Sequence, residues 1–277
     1  MKIGFHISIS NGFDCVLEEA KGLQCEVAQI FLKNPRSWEE KSWKDEDVAA
    51  FQRLNRKVPV FGHLSYLPNL ARIDEDERNL TGFVHEVKLC GELGLDRLVI
   101  HLGSRADKAK GITMIARAIN YVLDQYDIKL FLENSAGQGA SIGKNAEELA
   151  AVYEKIDRKE KTFICIDTAH LFEAGHNIKM KKVWNTFICD LEARLGEDKI
   201  GFFHLNDSKT LSGSHVDRHW HIGQGEIGLS FFRSLLNNKR FAHLEGVMET
   251  PKMGNMDEEN MRTMRSLLSP LMSRSLA

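Results

Sequence analysis

Short runs that are apolar almost throughout alternate along this chain with longer stretches in which apolar residues recur every three or four positions. The short runs have the cores IGFHI, AQIFL, PVFGH, LVIHL, LFLEN, FICID, GFFHL and GVMET. They predict strands over Lys2–Ile7, Val27–Asn34, Val58–Ser65, Arg97–Gly103, Lys129–Ser135, Phe163–Thr168, Ile200–Asn206 and Leu244–Thr250. Near-continuous apolarity, as opposed to strict alternation, marks strands buried on both faces, as in a parallel sheet covered by helices. The longer stretches predict those helices: Asp14–Leu23, Asp45–Arg56, Asp76–Leu93, Ile112–Gln125, Ala146–Lys155, Val183–Leu195, Leu229–Asn237 and a last one over Asp257–Leu271. Eight strand–helix units with no break in composition argue for one α/β domain over residues 1–277, a single (β/α)8 TIM barrel. A doubly wound open sheet is the alternative that the same alternation permits.

The ionisable residues sharpen this reading. Most of the predicted strands end, at the carboxyl side, on a group able to bind a metal: His63, His101, Glu133, Asp167, His204 and Glu249. In a barrel those ends meet around the mouth where active sites are built. A lone His or Asp at a strand end is ordinarily a hydrogen-bonded loop residue; six on one rim point to a shared ligand. His170 follows Asp167 by three residues, and Asp217-x-His219 lies in the polar loop after the seventh strand. Imidazoles and carboxylates suit a borderline cation such as zinc. The nine groups exceed what one tetrahedral ion uses, so a cluster of two or three metals at the mouth is the simplest expectation.

Composition narrows the partners. The formal charge of −2 over 277 residues gives no overall attraction to nucleic acid, so a polyanion would have to meet a local positive patch or bound metal. Cys15, Cys25, Cys90, Cys165 and Cys189 form no C-x-x-C pair, a pattern suited to free thiols in a reducing compartment. No apolar run reaches membrane-spanning length, and MKIGFHISIS reads as a strand and carries no secretory signal. A cytoplasmic protein is therefore expected.

Longer motifs then identify a family. GFHIS at Gly4–Ser8, KNPRSW at Lys33–Trp38 and HLSYL at His63–Leu67 are followed by LVIHLGS ending at Ser104 and LENSAGQG at Leu132–Gly139. CIDTAHLFEAG at Cys165–Gly175, HLNDSK from His204, VDRHWHIGQGEIG from Val216 and MET at Met248–Thr250 complete the series in order. With these motifs the chain resembles, nearly end to end, endonuclease IV, the zinc-dependent apurinic/apyrimidinic endonuclease family. The resemblance implies three Zn2+ per chain: His63 and His101 on one, Glu133 bridging it to a second, Asp167, His204 and Glu249 completing the second, and His170, Asp217 and His219 holding the third. Glu133 is the group assigned a catalytic role. Manganese is admissible at one site, since metal choice depends on supply as well as ligand type.

The implied reaction is hydrolysis of the phosphodiester 5′ to an abasic site in double-stranded DNA by a metal-activated water, leaving a 3′-hydroxyl and a 5′-deoxyribose phosphate, with a 3′-phosphodiesterase side activity. Three divalent ions reverse the sign of the chain's small negative charge and give the mouth a locally positive field. Lys33, Arg36, Lys209 and Arg218 are candidates for backbone phosphate contacts, and Arg36, Tyr66 and Leu67 for wedging into the gap left by a missing base. The expected state is a monomer, nucleoid-associated in a bacterium. Three positions depart from the family pattern: Leu102 where proline is frequent, Ala169 where cysteine is common, and His176 where an aromatic is frequent. His176 is expected to serve the surface loop and not the metals.

Two rival readings follow from the same residues. A single-metal sugar isomerase or epimerase on this barrel would use Glu133, Asp167, His204 and Glu249, but leaves His63, His101, His170, Asp217 and His219 unemployed. A noncatalytic damage-binding protein with structural zinc would call for closed, thiolate-rich sites, unlike these oxygen and nitrogen donors.

Overall fold

The computed structural model describes residues 1–269. Eight parallel strands close into a barrel: β1 (Lys2–His6), β2 (Val27–Phe31), β3 (Val60–His63), β4 (Arg97–His101), β5 (Lys129–Glu133), β6 (Thr162–Asp167), β7 (Ile200–His204) and β10 (Glu245–Met248). Two further short strands, β8 (Asp207–Ser208) and β9 (His219–Trp220), form an antiparallel ribbon above β7. The expected barrel is thus present and the open sheet is not, because β1 pairs with both β2 and β10.

Helices α1 (Phe13–Gly22), α2 (Asp45–Lys57), α3 (Arg78–Leu93), α4 (Lys108–Gln125), α5 (Ala146–Tyr153), α7 (Lys181–Leu195), α8 (Leu229–Leu236) and α9 (Met256–Ser266) lie where the amphipathic stretches predicted them. The last predicted helix overran: Leu267–Ser269 are not helical, and its final positions, 270 and 271, lie outside the described residues. Among the described residues no helix is long and apolar enough to cross a membrane. The short helix α6 (Thr168–Glu173) had no periodic signal; it starts because the Asp167 side chain accepts the His170 N–H at 2.8 Å, capping its first turn.

Successive strand residues face opposite sides, so positions two apart share a face. Outward residues such as Ile3, Phe5, Ile30, Leu98, Leu132, Ile166 and Phe203 join the helices in the main core. Inward residues Val27, Phe61, Val99, Phe131, Cys165, Phe202 and Val247 form a separate apolar plug inside the barrel. Two residues further along each of those strands stand Gln29, His63, His101, Glu133, Asp167, His204 and Glu249. In β1 the equivalent pair is Gly4 and His6; a Cβ at Gly4 would lie 1.6 Å from the Val27 carbonyl oxygen, so no side chain fits. A polar tier therefore sits on an apolar one, and strand register fixes both.

Several predicted strands ran two or three residues too far, because the rim side chains after the last ladder bond belong to loops. Glu249, for example, lies one residue beyond β10. The five cysteines are all unpaired, with Cys25, Cys90 and Cys165 buried.

Candidate metal centre

Glu133 ends β5 at the centre of the mouth with 1% of its side chain exposed, and its two oxygens face different partners. Oε2 lies 3.2 Å from His63 Nε2 and 3.2 Å from His101 Nδ1. Oε1 lies 2.9 Å from His204 Nδ1 and 3.3 Å from His170 Nδ1. Burial pushes the Glu133 pKa up, but His101, His204 and His170 outweigh it and hold the carboxyl well below the usual range. Glu249 behaves likewise, burial being outweighed by His204, His6 and His63.

Asp167, fully buried, does two things at once. Oδ1 caps α6, while Oδ2 faces His204 Nδ1 at 3.7 Å and His219 Nε2 at 3.4 Å. Its orientation is held by Asn206 Nδ2, which donates to Oδ2 at 2.7 Å, and Asn206 Oδ1 also accepts from the Glu249 N–H at 2.7 Å. Asn134 accepts from the Asp167 N–H at 2.7 Å and ties β5 to β6.

The third group is delivered by the long loop after β7. His170 Nε2 lies 3.3 Å from Asp217 Oδ2 and 3.4 Å from His219 Nε2, and Asp217 Oδ1 lies 3.5 Å from His219 Nε2. For His170 and His219 burial lowers the pKa, but neighbouring Asp167 and Asp217 raise it above the ordinary value; His204 is raised too, with Glu249 and Glu133 overcoming burial. Asp217 is held low by His170 and His219 despite partial burial. Asp207 does not join the mouth. Its carboxylate accepts from the backbone N–H groups of Ser208, Gly223 and Ile227 at 2.8–2.9 Å and folds the loop around itself.

Ligand-capable atoms thus converge in three overlapping groups, each within 4.8 Å: His63, Glu133 and His204; Asp167, His170 and His219; and Glu133, Asp167, His204 and Glu249. These groups hold seven of the nine candidates read from the sequence, and the other two adjoin them, His101 beside Glu133 and Asp217 beside His170 and His219. The donors are oxygen and nitrogen. The nearby Cys165 thiol is pushed up to about 12 by burial and stays protonated beneath His204.

Above the centre opens a cavity of about 470 Å³ lined by the rim residues other than the fully buried Asp167 and His204, together with Phe31, Tyr66, Arg218 and Lys252. Tyr66 is 55% exposed and meets Phe31 edge-on at 5.1 Å. Its phenol is pushed up to about 12, first by burial and then by Glu249, Glu133 and Asp217. Arg218 is exposed beside Asp217. Arg36 and Lys209 are exposed and Leu67 is half-buried, but none of the three lines this cavity; Lys209 lies over the Trp220 ring at 4.1 Å. Lys33 corrects an expectation: it is 7% exposed and sits near Glu86, whose pKa burial raises against the opposing charge of Lys33, so it is not a surface phosphate contact. His176 packs edge-on against Phe187 at 5.2 Å and lies outside this cavity.

Sequence reasoning passed over His6, Gln29, Asn134 and Glu173, and gave Asn206, close after His204, no role. The signal for the first two was the period of two from the apolar tier, which runs through β1 and β2 as through the other strands.

The closed parallel barrel with polar groups at the carboxyl ends of its strands defines a class, and residues 17–269 match the family model described as xylose isomerase-like TIM barrel. Within that class the similarity is more particular. The chain is 37% identical over 279 residues to the probable endonuclease 4 of Chloroflexus aggregans, covering 96% of this chain and 98% of that one. The crystal structure of endonuclease IV from Thermus thermophilus superposes with a TM-score of 0.84 at 29% identity, covering 96% of this chain and 98% of that one. A D-tagatose 3-epimerase-like protein shares the fold alone, with a TM-score of 0.74 at 16% identity over the whole of both chains. The chain belongs to the endonuclease IV family.

Proposed function

We propose that this protein is a DNA-repair endonuclease that hydrolyses the phosphodiester 5′ to an abasic site in duplex DNA, leaving a 3′-hydroxyl and a 5′-deoxyribose phosphate. The observation that carries the reading is the position of Glu133, whose two buried oxygens each face a different set of imidazoles. A carboxylate so placed suits a bridge between two cations. The family resemblance then assigns the remaining donors: His63 and His101 to one ion, Asp167, His204 and Glu249 to the other, and His170, Asp217 and His219 to a third. The donor set fits zinc, being neutral imidazoles and carboxylates, with manganese admissible at one position. Divalent ions held there supply Lewis acidity, making a water more acidic and neutralising a phosphodiester's charge.

The chain's own residues do the rest. Hydrogen bonds from His63 Nδ1 to the Leu64 carbonyl, His170 Nδ1 to that of Asn134 and His219 Nδ1 to that of Glu249 turn the opposite ring nitrogens toward the centre. Tyr66, kept protonated, presents a ring and a hydroxyl at the rim where a flipped sugar would enter. With Leu67 and Arg36 it forms the wedge, and Arg218 and Lys209 hold backbone phosphates. A site lacking its stacked base costs less to kink and open, which favours abasic over intact DNA. We further propose one domain over residues 1–277 acting as a monomer, with a 3′-phosphodiesterase side activity at the same centre.

The test is incision of a duplex carrying a single abasic analogue, before chelation, after it, and after zinc return. Activity lost and restored with about three zinc ions per chain agrees with the proposal. About one ion per chain, with no incision and with epimerisation of a ketose, would move the protein to the sugar-epimerase reading.

A further inference from the structure

The histidines of the centre do not all orient in the same way. His63, His170 and His219 each donate their outer nitrogen to a backbone carbonyl, at 2.8, 3.0 and 3.2 Å. His204 is fully buried, and its outer nitrogen, Nε2, meets a side chain: the amide oxygen of Gln29, at 2.9 Å. The other end of the same amide, Nε2 of Gln29, donates to Glu249 Oε1 at 2.7 Å. Gln29 is itself fully buried, at the rim position of β2. The reverse amide orientation would set its oxygen against the Glu249 carboxylate, so these neighbours fix which way it faces.

We propose that Gln29 is a positioning residue for one cation of the centre, gripping two of its ligands with a single amide. By accepting from Nε2–H it leaves the lone pair of His204 on Nδ1, the nitrogen that faces Glu133, Asp167 and Glu249. By donating to Oε1 of Glu249 it turns Oε2 toward the same point, 3.2 Å from His204 Nδ1. His6 supports the grip, its Nδ1 lying 3.1 Å from Glu249 Oε1 and 2.9 Å from Gln29 Nε2. A residue that supplies no metal-binding atom therefore sets the geometry at two positions, and it does so across three strands, β2, β7 and β10. This inference rests on the proposed metal centre. Outer partners of metal ligands are worth about 10–100-fold in metal affinity.

The experiment measures zinc affinity by chelator competition on the wild type and on Gln29→Met, which keeps length and packing but loses the amide. Thermal unfolding of both proteins without metal accompanies it. Expected is a loss of about 10–100-fold for one equivalent of zinc, the others unchanged, with metal-free unfolding at the wild-type temperature. Equal affinities in the two proteins overturn the inference and leave the metal centre standing. A uniform loss over all equivalents together with earlier metal-free unfolding also overturns it, marking Gln29 as a packing residue. A wild type that binds no zinc removes the metal centre itself and the inference with it. Gln29→Ala serves where Gln29→Met does not fold, judged by the same readings. On the zinc-loaded wild type, imidazole nitrogen NMR is expected to show His204 protonated at Nε2; a proton at Nδ1 overturns the proposal independently.

Discussion

At the scale of single residues, the centre is a set of opposite charges that stabilise each other only while all are present. Glu133 touches four imidazoles, so replacing its carboxylate leaves buried groups without their partner. Glu133→Gln keeps the shape and one accepting oxygen but loses the charge and the second acceptor. It is expected to lower metal affinity by more than the roughly 100-fold upper cost of losing an outer partner of a ligand and to abolish incision. Normal zinc content with full incision in that variant contradicts the bridging role. Arg218 belongs to a different physics: it is exposed at the lining of the cavity, and the proposed function has it act on the DNA backbone through its charge. Arg218→Ala is expected to weaken abasic and intact duplex alike and to reduce the slope of log affinity against log salt by about 1. An unchanged slope removes Arg218 from the interface. Lys33 shows why exposure had to be known first: the lysine that opens KNPRSW looks like any other basic residue until its burial near Glu86 is seen.

At the scale of elements, the nine groups arrive by two routes. Six stand at or just beyond strand ends, where register places them; the other three depend on α6 and the loop after β7. Glu173, the last residue of α6, is fully buried and anchors that loop, its Oε1 accepting from Ser208 Oγ at 2.7 Å and the Arg218 N–H at 3.1 Å. Burial raises its pKa. Glu173→Ala frees the segment that carries Asp217 and His219, so the third equivalent of zinc is expected to leave first, with stability lower by about 1–3 kcal/mol. Glu173→Gln keeps the accepting oxygen and is expected to retain that equivalent. Metal titration with denaturant unfolding reads both, and an unaltered third equivalent in Glu173→Ala removes Glu173 from this role. The loop itself was visible in the sequence as HLNDSK and VDRH. The anchor was not, because Glu173, although it lies within CIDTAHLFEAG, has no periodicity that separates it from a surface glutamate.

At the scale of the whole molecule, the centre links metal, protons and folding. Without metal, His170, His204 and His219 have raised pKa values, so their contribution to stability is complete below their unfolded value of 6.5 and is lost as pH rises through the raised values. Glu133 and Glu249 are lowered, so theirs is complete above 4.5 and is lost as pH falls through the lowered values. Metal-free protein is therefore expected to owe most to this cluster between those two values and less on the alkaline side. On the proposed metal centre, binding zinc would displace the imidazole protons. Calorimetry of zinc binding at pH near 6.5 in two buffers of different ionisation enthalpy is expected to show proton release. Identical apparent enthalpies in the two buffers contradict it.

What the chain determines by itself is the alternation that makes eight covered strands, and the ionisable residue placed at the end of most of them. Both follow from local physics: the period of two within a strand, the period of 3.6 within a helix, and a parallel sheet's need to be covered on both faces. Six of the nine candidate donors were legible for that reason; His170, Asp217 and His219 were legible from their spacing to Asp167 and to each other in the polar loop after β7. Barrel closure decided the rest, because it alone brings β1 and β2 beside β10 and β7, and so Gln29 and His6 against Glu249 and His204. Glutamine has no metal-binding signature of its own. Its part depends on which residues face it across some two hundred positions of sequence, and only tertiary structure sets that distance to 2.7–2.9 Å.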